Sequence, residues 1–127
     1  MPAVLALWES SRSAVSVTED TAEALLALIA QPGAELLVAF DGSSLVGTLV
    51  VGWDGWRGNM YRLAVRSDMR RRGIARKLVE AGHAHLKSVG ARRVTALVGA
   101  DEEAASELWR AAGYSHDAHI ARFVRNL

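Results

Sequence analysis

With 127 residues, half of them hydrophobic, the chain has the length of one domain and enough apolar content for a core, so a single unit over residues 1–127 is expected. Fifteen Lys and Arg against fourteen Asp and Glu give a formal charge of +1, a balance that calls for neither nucleic acid nor an acidic membrane as partner. The absence of cysteine removes disulfides, thiolate nucleophiles and thiolate metal sites; with no basic-then-apolar N-terminus and no apolar run near the roughly 20 residues of a membrane helix, the cytoplasm is the expected setting.

In chain order, Val4, Leu5, Leu7 and Trp8 fall at helical spacings behind Pro2, which a first helical turn tolerates. A second helix is predicted from Thr21 to Ala30, with Ala22, Leu25, Leu26 and Ile29 on one face, Thr18 as cap, Glu19 and Asp20 in the first turn, and Pro32-Gly33 as the stop. The period then changes to that of strands. Leu36 to Phe40 and Leu45 to Trp53 are joined by Asp41-Gly42-Ser43-Ser44, the pattern of a hairpin with a four-residue loop. The turn Asp54-Gly55-Trp56-Arg57-Gly58 leads into a third strand from Asn59 to Val65. After the loop Arg66 to Arg72 comes a helix from Gly73 to Val89, with Ile74, Leu78 and Val79 toward the sheet and Gly90 ending it. Val94 to Val98 reads as a strand, Glu102 to Ala112 as a helix closed by Gly113, and Ile120 to Val124 as a last strand. The order α-α-β-β-β-α-β-α-β, without repeats or linkers, predicts an α+β, sandwich-like fold.

One loop carries chemistry. Arg70-x-x-Gly73-x-Ala75 brings three arginines, Arg70, Arg71 and Arg72, to the start of a helix where Gly73 and Ala75 leave little side-chain bulk. Unpaired N–H groups and the positive end of the helix dipole suit a phosphate or pyrophosphate there, and the guanidiniums add forked donors. The pattern is neither a Walker nucleoside-triphosphate loop nor the dinucleotide Gly-x-Gly-x-x-Gly.

In this loop the chain resembles the GNAT superfamily of N-acetyltransferases, whose hallmark is Arg/Gln-x-x-Gly-x-Gly/Ala after a strand ending like Leu63-Ala64-Val65. The likeness extends over nearly the whole chain. The hairpin, the long helix, the strand Arg93 to Val98 and Ala105-x-x-Leu108-Trp109-x-x-x-Gly113-Tyr114 follow in the family's order, and Gly52-Trp53-Asp54-Gly55-Trp56-Arg57-Gly58 is similar to a turn of some small bacterial members. The resemblance implies a mixed, mostly antiparallel sheet flanked by helices, and acetyl-coenzyme A as cosubstrate without a metal. It further implies that backbone groups of Leu63 and Val65 hold the pantetheine arm in a splay between the third strand and the strand from Arg93. The N–H near Ala64 or Val65 would polarise the thioester carbonyl, and the N–H groups of Arg71, Arg72, Gly73, Ile74, Ala75 and Arg76 would bind the pyrophosphate. Glu102 stands where the family commonly has an asparagine at the start of the fourth helix; it could cap that helix and would contact coenzyme A differently, and with Trp109 it completes the expected cofactor-binding set.

The chain also departs from the family pattern. Where some members carry a carboxylate, alignment on Arg70 places Asn59, which cannot be a base; Asp54 and Glu35, acting through water, are the candidates. Trp109 stands where many members place a tyrosine acid, so Tyr114 or Tyr61 would protonate the thiolate, or it leaves unassisted, as a free thiol with pKa about 8.5 can. The family's usual first strand is not found before the first helix, which predicts either an exposed sheet edge, covered by a second copy in a homodimer or left short, or a true start upstream.

The four histidines, His83, His85, His116 and His119, show no metal spacing and read as solvated or packing groups; Trp8, Trp53, Trp56 and Trp109 read as core or rim residues, with Trp56 a candidate lining of the acceptor pocket. The expected function is therefore an acetyl-coenzyme A-dependent N-acetyltransferase acting on a primary amine of a small molecule, peptide or protein. The alternatives are a non-catalytic acyl-coenzyme A sensor and, using the same arginines, a nucleic-acid-binding module, which lacks interleaved aromatics to support it.

Overall fold

The computed structural model describes residues 2–10, 20–98 and 103–127. Its elements are α1 (Pro2–Ser10), α2 (Ala22–Ile29), β1 (Glu35–Asp41), β2 (Ser44–Trp53), β3 (Gly58–Val65), a short 3-10 helix (Ser67–Met69), α3 (Ile74–Ser88), β4 (Val94–Ala96) and α4 (Glu103–Ala111). The strands form one open sheet in the order β1-β2-β3-β4, antiparallel except for the parallel pair β3-β4. This is the expected α+β architecture, with β1 and β4 at the two ends of the strand order.

Strand β2 is the spine because its side chains are covered on both faces. Leu49 and Val51 join Met60 of β3 and Leu78, Val79 and Leu86 of α3 in one core, with Trp109 of α4. Val50 and Ala64 join Val4, Leu7, Trp8 and Leu25 in the other, so α1 and α2 lie on the face opposite α3. The alternation follows from the two-residue period of a strand. Helix α3 comes close to the sheet at Gly82, where an added Cβ would sit 2.5 Å from Met60 Cε and 3.2 Å from Leu49 Cδ2 and Val51 Cγ2.

Several local expectations are corrected. The cap of α2 is Thr21, whose hydroxyl accepts the Ala24 N–H at 3.1 Å; Thr18 and Glu19 lie outside the described residues. Leu26 is 51% exposed because an eight-residue helix touches the sheet along a narrow stripe through Leu25. Asp41 pairs with Ser44, so the hairpin loop is the two residues Gly42-Ser43 rather than four, with Gly42 at φ 62 as such a tight turn requires. Strand β4 stops at Ala96 instead of Val98. Ile120 to Val124 forms no strand: it has no ladder partner, and Phe123 is 94% exposed. A strand needs a paired neighbour to satisfy its backbone, and β4 is only three residues long.

Candidate functional site

The site starts from a mismatch between two strands. The β3-β4 ladder pairs Gly58, Asn59 and Met60 with Val94, Thr95 and Ala96 and then ends, while β3 continues to Val65. From Tyr61 onward, that edge of β3 has no ladder partner among the described residues, and alternate backbone groups along it are open to a ligand. The divergence coincides with a bulge. Val50 pairs with Tyr61 and Thr48 with Ala64, so Leu49 alone opposes both Arg62 and Leu63. Arg62 is the extra residue and takes φ 53, a left-handed conformation that costs a non-glycine residue roughly 1–2 kcal/mol. Side chains hold it there. Thr48 Oγ1 donates to the Arg62 carbonyl at 3.0 Å and accepts from Trp8 Nε1 at 2.7 Å. The Arg62 guanidinium meets Asp20 at 2.6 Å and lies 5.6 Å from the Trp8 ring centroid.

Beyond Val65 the chain enters the arginine loop. Met69 anchors it in the core, and Arg70 Nε reaches back to the Val65 carbonyl at 3.4 Å. Arg71 at φ 63 and Gly73 at φ 78 are both left-handed, the backbone of a tight anion-binding curl. The first helical bond of α3 runs from Lys77 N to Gly73 O, so the N–H groups just before Lys77 have no intrahelical acceptor. Nothing lies within 4 Å of a Cβ built on Gly73, and Arg70, Arg71 and Arg72 are exposed. Arg66 is bound to Asp68 at 2.6 Å, which holds the Asp68 carboxyl below its ordinary range. The loop thus offers open donors and positive charge of the kind a pyrophosphate needs.

On the α3 face, a cleft of about 180 Å³ lies between α3 and α4, lined by Arg76, Val79, Glu80, His83, Leu108 and Ala112 among others. Tyr114 stands beside it: its hydroxyl is 2.7 Å from His83 Nε2 and 3.6 Å from the sulfur of Met60, the residue at which the β3-β4 ladder ends. The two rings stack at 5.6 Å, and Trp109 meets Tyr114 edge-on at 4.9 Å. Burial pushes the Tyr114 phenol up to about 12, and burial, then the charge of Lys87, pulls the His83 imidazole down.

The residues singled out from sequence therefore divide. Leu63, Ala64 and Val65 lie on the part of β3 that has no β4 partner among the described residues, continuous with the loop from Arg70 to Arg76, and Trp109 is buried in the core on the α3 face, edge-on to Tyr114. Tyr61 packs with Trp8 and Val50 on the opposite face from Tyr114, its phenol raised by desolvation. Asp54 is tied to its turn, accepting from Trp56 N at 2.8 Å and Arg57 N at 2.7 Å, bonds that lower its carboxyl and make it a poor base. Glu35 shares a row with Val51 and Met60 but lies two strands from β3, about 10 Å away. Asn59 is half-buried between Gly52 and Thr95, and Trp56 is 75% exposed with Arg57 stacked on it at 4.6 Å. Glu102 lies outside the described residues. His83 was not among the sequence candidates; its signal was the stripe Arg76, Val79, Glu80 and His83, at three- and four-residue spacings that face one neighbour. Among the described residues no group of three His, Asp or Glu could hold a metal.

Comparison with known proteins places these features in a wider set. Residues 2–114 match the model of the acetyltransferase (GNAT) family. An aminoglycoside acetyltransferase from an uncultured soil metagenomic sample superposes with a TM-score of 0.80 at 20% identity, over 99% of this chain and 87% of that one. An aminoglycoside 6'-N-acetyltransferase from Acinetobacter haemolyticus gives 0.76 at 17%, over 99% and 92%. AAC(6')-Iy, in complex with the bisubstrate analogue CoA-S-monomethyl-acetylneamine, gives 0.73 at 15%, over 97% and 92%.

Proposed function

The chain belongs to the acetyltransferase (GNAT) family, and from that premise we propose that it transfers an acetyl group from acetyl-coenzyme A to a primary amine by direct attack in a ternary complex. The observation that carries this reading is the edge of β3 beyond Met60, which has no ladder partner among the described residues and is continued by the left-handed curl at Arg71 and Gly73 and the start of α3. A pantetheine arm is an amide-bearing chain that a strand edge can pair with, and the adjoining curl suits the pyrophosphate. Leu63, Ala64 and Val65 are then the pantetheine and thioester residues, and Arg70 to Arg76 the phosphate residues.

Acetyl-coenzyme A supplies the activated acetyl group; the protein supplies alignment and donors. In the step, the amine nitrogen bonds to the carbonyl carbon, the carbon–sulfur bond breaks and the sulfur takes the electron pair. An acceptor amine with pKa about 10.4 must first lose a proton. Asp54 is turned to its own loop and Glu35 lies two strands off, so the proton leaves through water. Tyr114 is the better placed of the two phenols, beside Met60 at the ladder's end. Yet a phenol pushed up to about 12 gives its proton uphill to a thiolate whose acid has pKa about 8.5. The thiolate therefore departs without it, and Tyr114 with His83 shapes the slot.

A second reading, an acyl-coenzyme A sensor without turnover, is favoured by one observation: Asn59, an amide that cannot act as a base, occupies the middle row of the β3-β4 ladder, at the position where some members of the family carry a carboxylate. Calorimetry with acetyl-coenzyme A, followed by a free-thiol assay over a panel of amines that includes aminoglycosides, separates the readings. Acceptor-dependent thiol release is the expected result. Binding without release across the panel would select the sensor, and absence of binding would overturn both.

A further inference from the structure

We propose that Thr48 and Trp8 are positioning residues for the acyl-transfer site, acting through the carbonyl of Arg62; the inference rests on the acetyl-coenzyme A reading above. The bulge at Arg62 is what turns the backbone between Tyr61 and Val65 away from the regular ladder, and so decides where the N–H of Val65 points; the Ala64 N–H, in register with Thr48 and two residues before the Arg66 N–H that bonds Val46, faces β2. A left-handed arginine in mid-strand persists only if its surroundings over-determine it. Three contacts among the described residues contribute. The first is Thr48, fully buried on the central strand, whose hydroxyl makes two bonds at once: it donates to the Arg62 carbonyl and accepts from the Trp8 indole. The second is Asp20, which takes the guanidinium at 2.6 Å with both side chains mostly covered. The third is the Trp8 ring beneath that guanidinium.

The chemistry of position 48 argues for a purpose beyond packing. Its neighbours on that face, Val46 and Val50, are apolar and buried, and a valine at 48 would fill nearly the same volume but remove the hydroxyl that links the Trp8 indole N–H to the Arg62 carbonyl. A hydroxyl there is useful because it can receive the orientation of Trp8 and pass it to a strand carbonyl. Trp8 belongs to α1, on the opposite face from α3 and the arginine loop. Through this relay, α1 sets the aim of the Val65 N–H without touching the ligand.

The experiment uses the full chain loaded with acetyl-coenzyme A carrying carbon-13 at the acetyl carbonyl. Donors aimed at the thioester oxygen shift its carbonyl resonance downfield on binding, a readout that needs no acceptor. The wild type is compared with Thr48→Val, Thr48→Ser and Trp8→Phe, and with Leu25→Ala, a change in the same core that leaves the relay intact. We expect the bound shift to fall back toward the free value in Thr48→Val and in part in Trp8→Phe. Turnover should fall at least tenfold in Thr48→Val and recover to within about threefold in Thr48→Ser, with Leu25→Ala keeping the wild-type shift despite its lost stability. A wild-type shift retained in bound, folded Thr48→Val, or an equal loss in Leu25→Ala, would overturn the relay while leaving the acetyltransferase reading standing. If Thr48→Val does not fold, Trp8→Phe decides in its place, because it keeps the hydroxyl and removes its donor: a partial fall in the bound shift supports the relay, and an unchanged shift overturns it. A wild type that does not bind acetyl-coenzyme A would overturn the functional reading and the relay with it.

Discussion

Placing a carboxylate at Gly73 tests the phosphate loop directly. Gly73 sits at φ 78 and ψ 10, and a Cβ there meets nothing within 4 Å, so Gly73→Glu creates no clash. Its intrinsic cost is the left-handed backbone, about 1 kcal/mol, which lowers the melting temperature by about 4 °C in a domain of this size. Its effect on binding is electrostatic. A carboxylate about 6 Å from a pyrophosphate of roughly two negative charges repels it by about 1.4 kcal/mol even at the dielectric constant of water, hence about tenfold in affinity, and by more where the site is shielded. Gly73→Asn separates the two terms, since asparagine tolerates the left-handed region and adds no charge. Calorimetric titration with coenzyme A at low salt should show at least a tenfold loss for the glutamate variant and less than a threefold loss for the asparagine variant. At 1 M salt, where the screening length is about 3 Å, the gap between them should narrow. Affinity of a folded Gly73→Glu protein within twofold of wild type at low salt would place the phosphate site elsewhere.

Tyr114→Phe should keep turnover within about tenfold of wild type, since an essential general acid is worth about a hundredfold or more; the pH-rate profile should show no descending limb below pH 10 from a phenol pushed up to about 12. His83, whose pKa burial lowers, binds fewer protons folded than unfolded between its depressed value and about 6.5. Stability should therefore rise with pH through that window and be lost as pH falls below about 6.5. His83→Gln should flatten this slope in melting curves taken between pH 5 and pH 7.5. Gly82→Ala gains about 1 kcal/mol of helix propensity but drives a methyl into Met60, Leu49 and Val51. Overpacking of about 1–3 kcal/mol should win, giving a net fall in melting temperature; a rise would mean that Met60 moves aside freely.

The parts of this molecule that were legible in its sequence are those whose signal is local. Periodicity placed all four helices and the first four strands, because each must bury one stripe or one face. Gly73 and Ala75 marked a helix start with little side-chain bulk, and the arginines beside them suited an anion; the left-handed backbone at Gly73 came only with the structure. The expected strand at Ile120 to Val124 failed for a non-local reason. Its residues have the right propensity, but a strand exists only where another offers an edge, and the short β4 could not be inferred from the segment itself. Thr18 lost the cap to Thr21 because only three residues separate the two, a distinction that spacing alone does not resolve.

The site shows the same division. The half proposed for phosphate is built from consecutive residues and could be read as a motif. The half proposed for the acyl group depends on pairs far apart in the chain: Trp8 with Thr48, Thr48 with Arg62, Arg62 with Asp20 and His83 with Tyr114. None of these residues is unusual where it stands. A threonine in a strand, an arginine before a leucine and a histidine on a helix each have an ordinary reading, and only the folded chain shows which partners they meet. Arg62 is the clearest case, because a left-handed, non-glycine residue has no marker in sequence. Such a conformation is held by partners from other elements, so the residues to vary in testing how this site is aimed are those partners rather than the groups that line it.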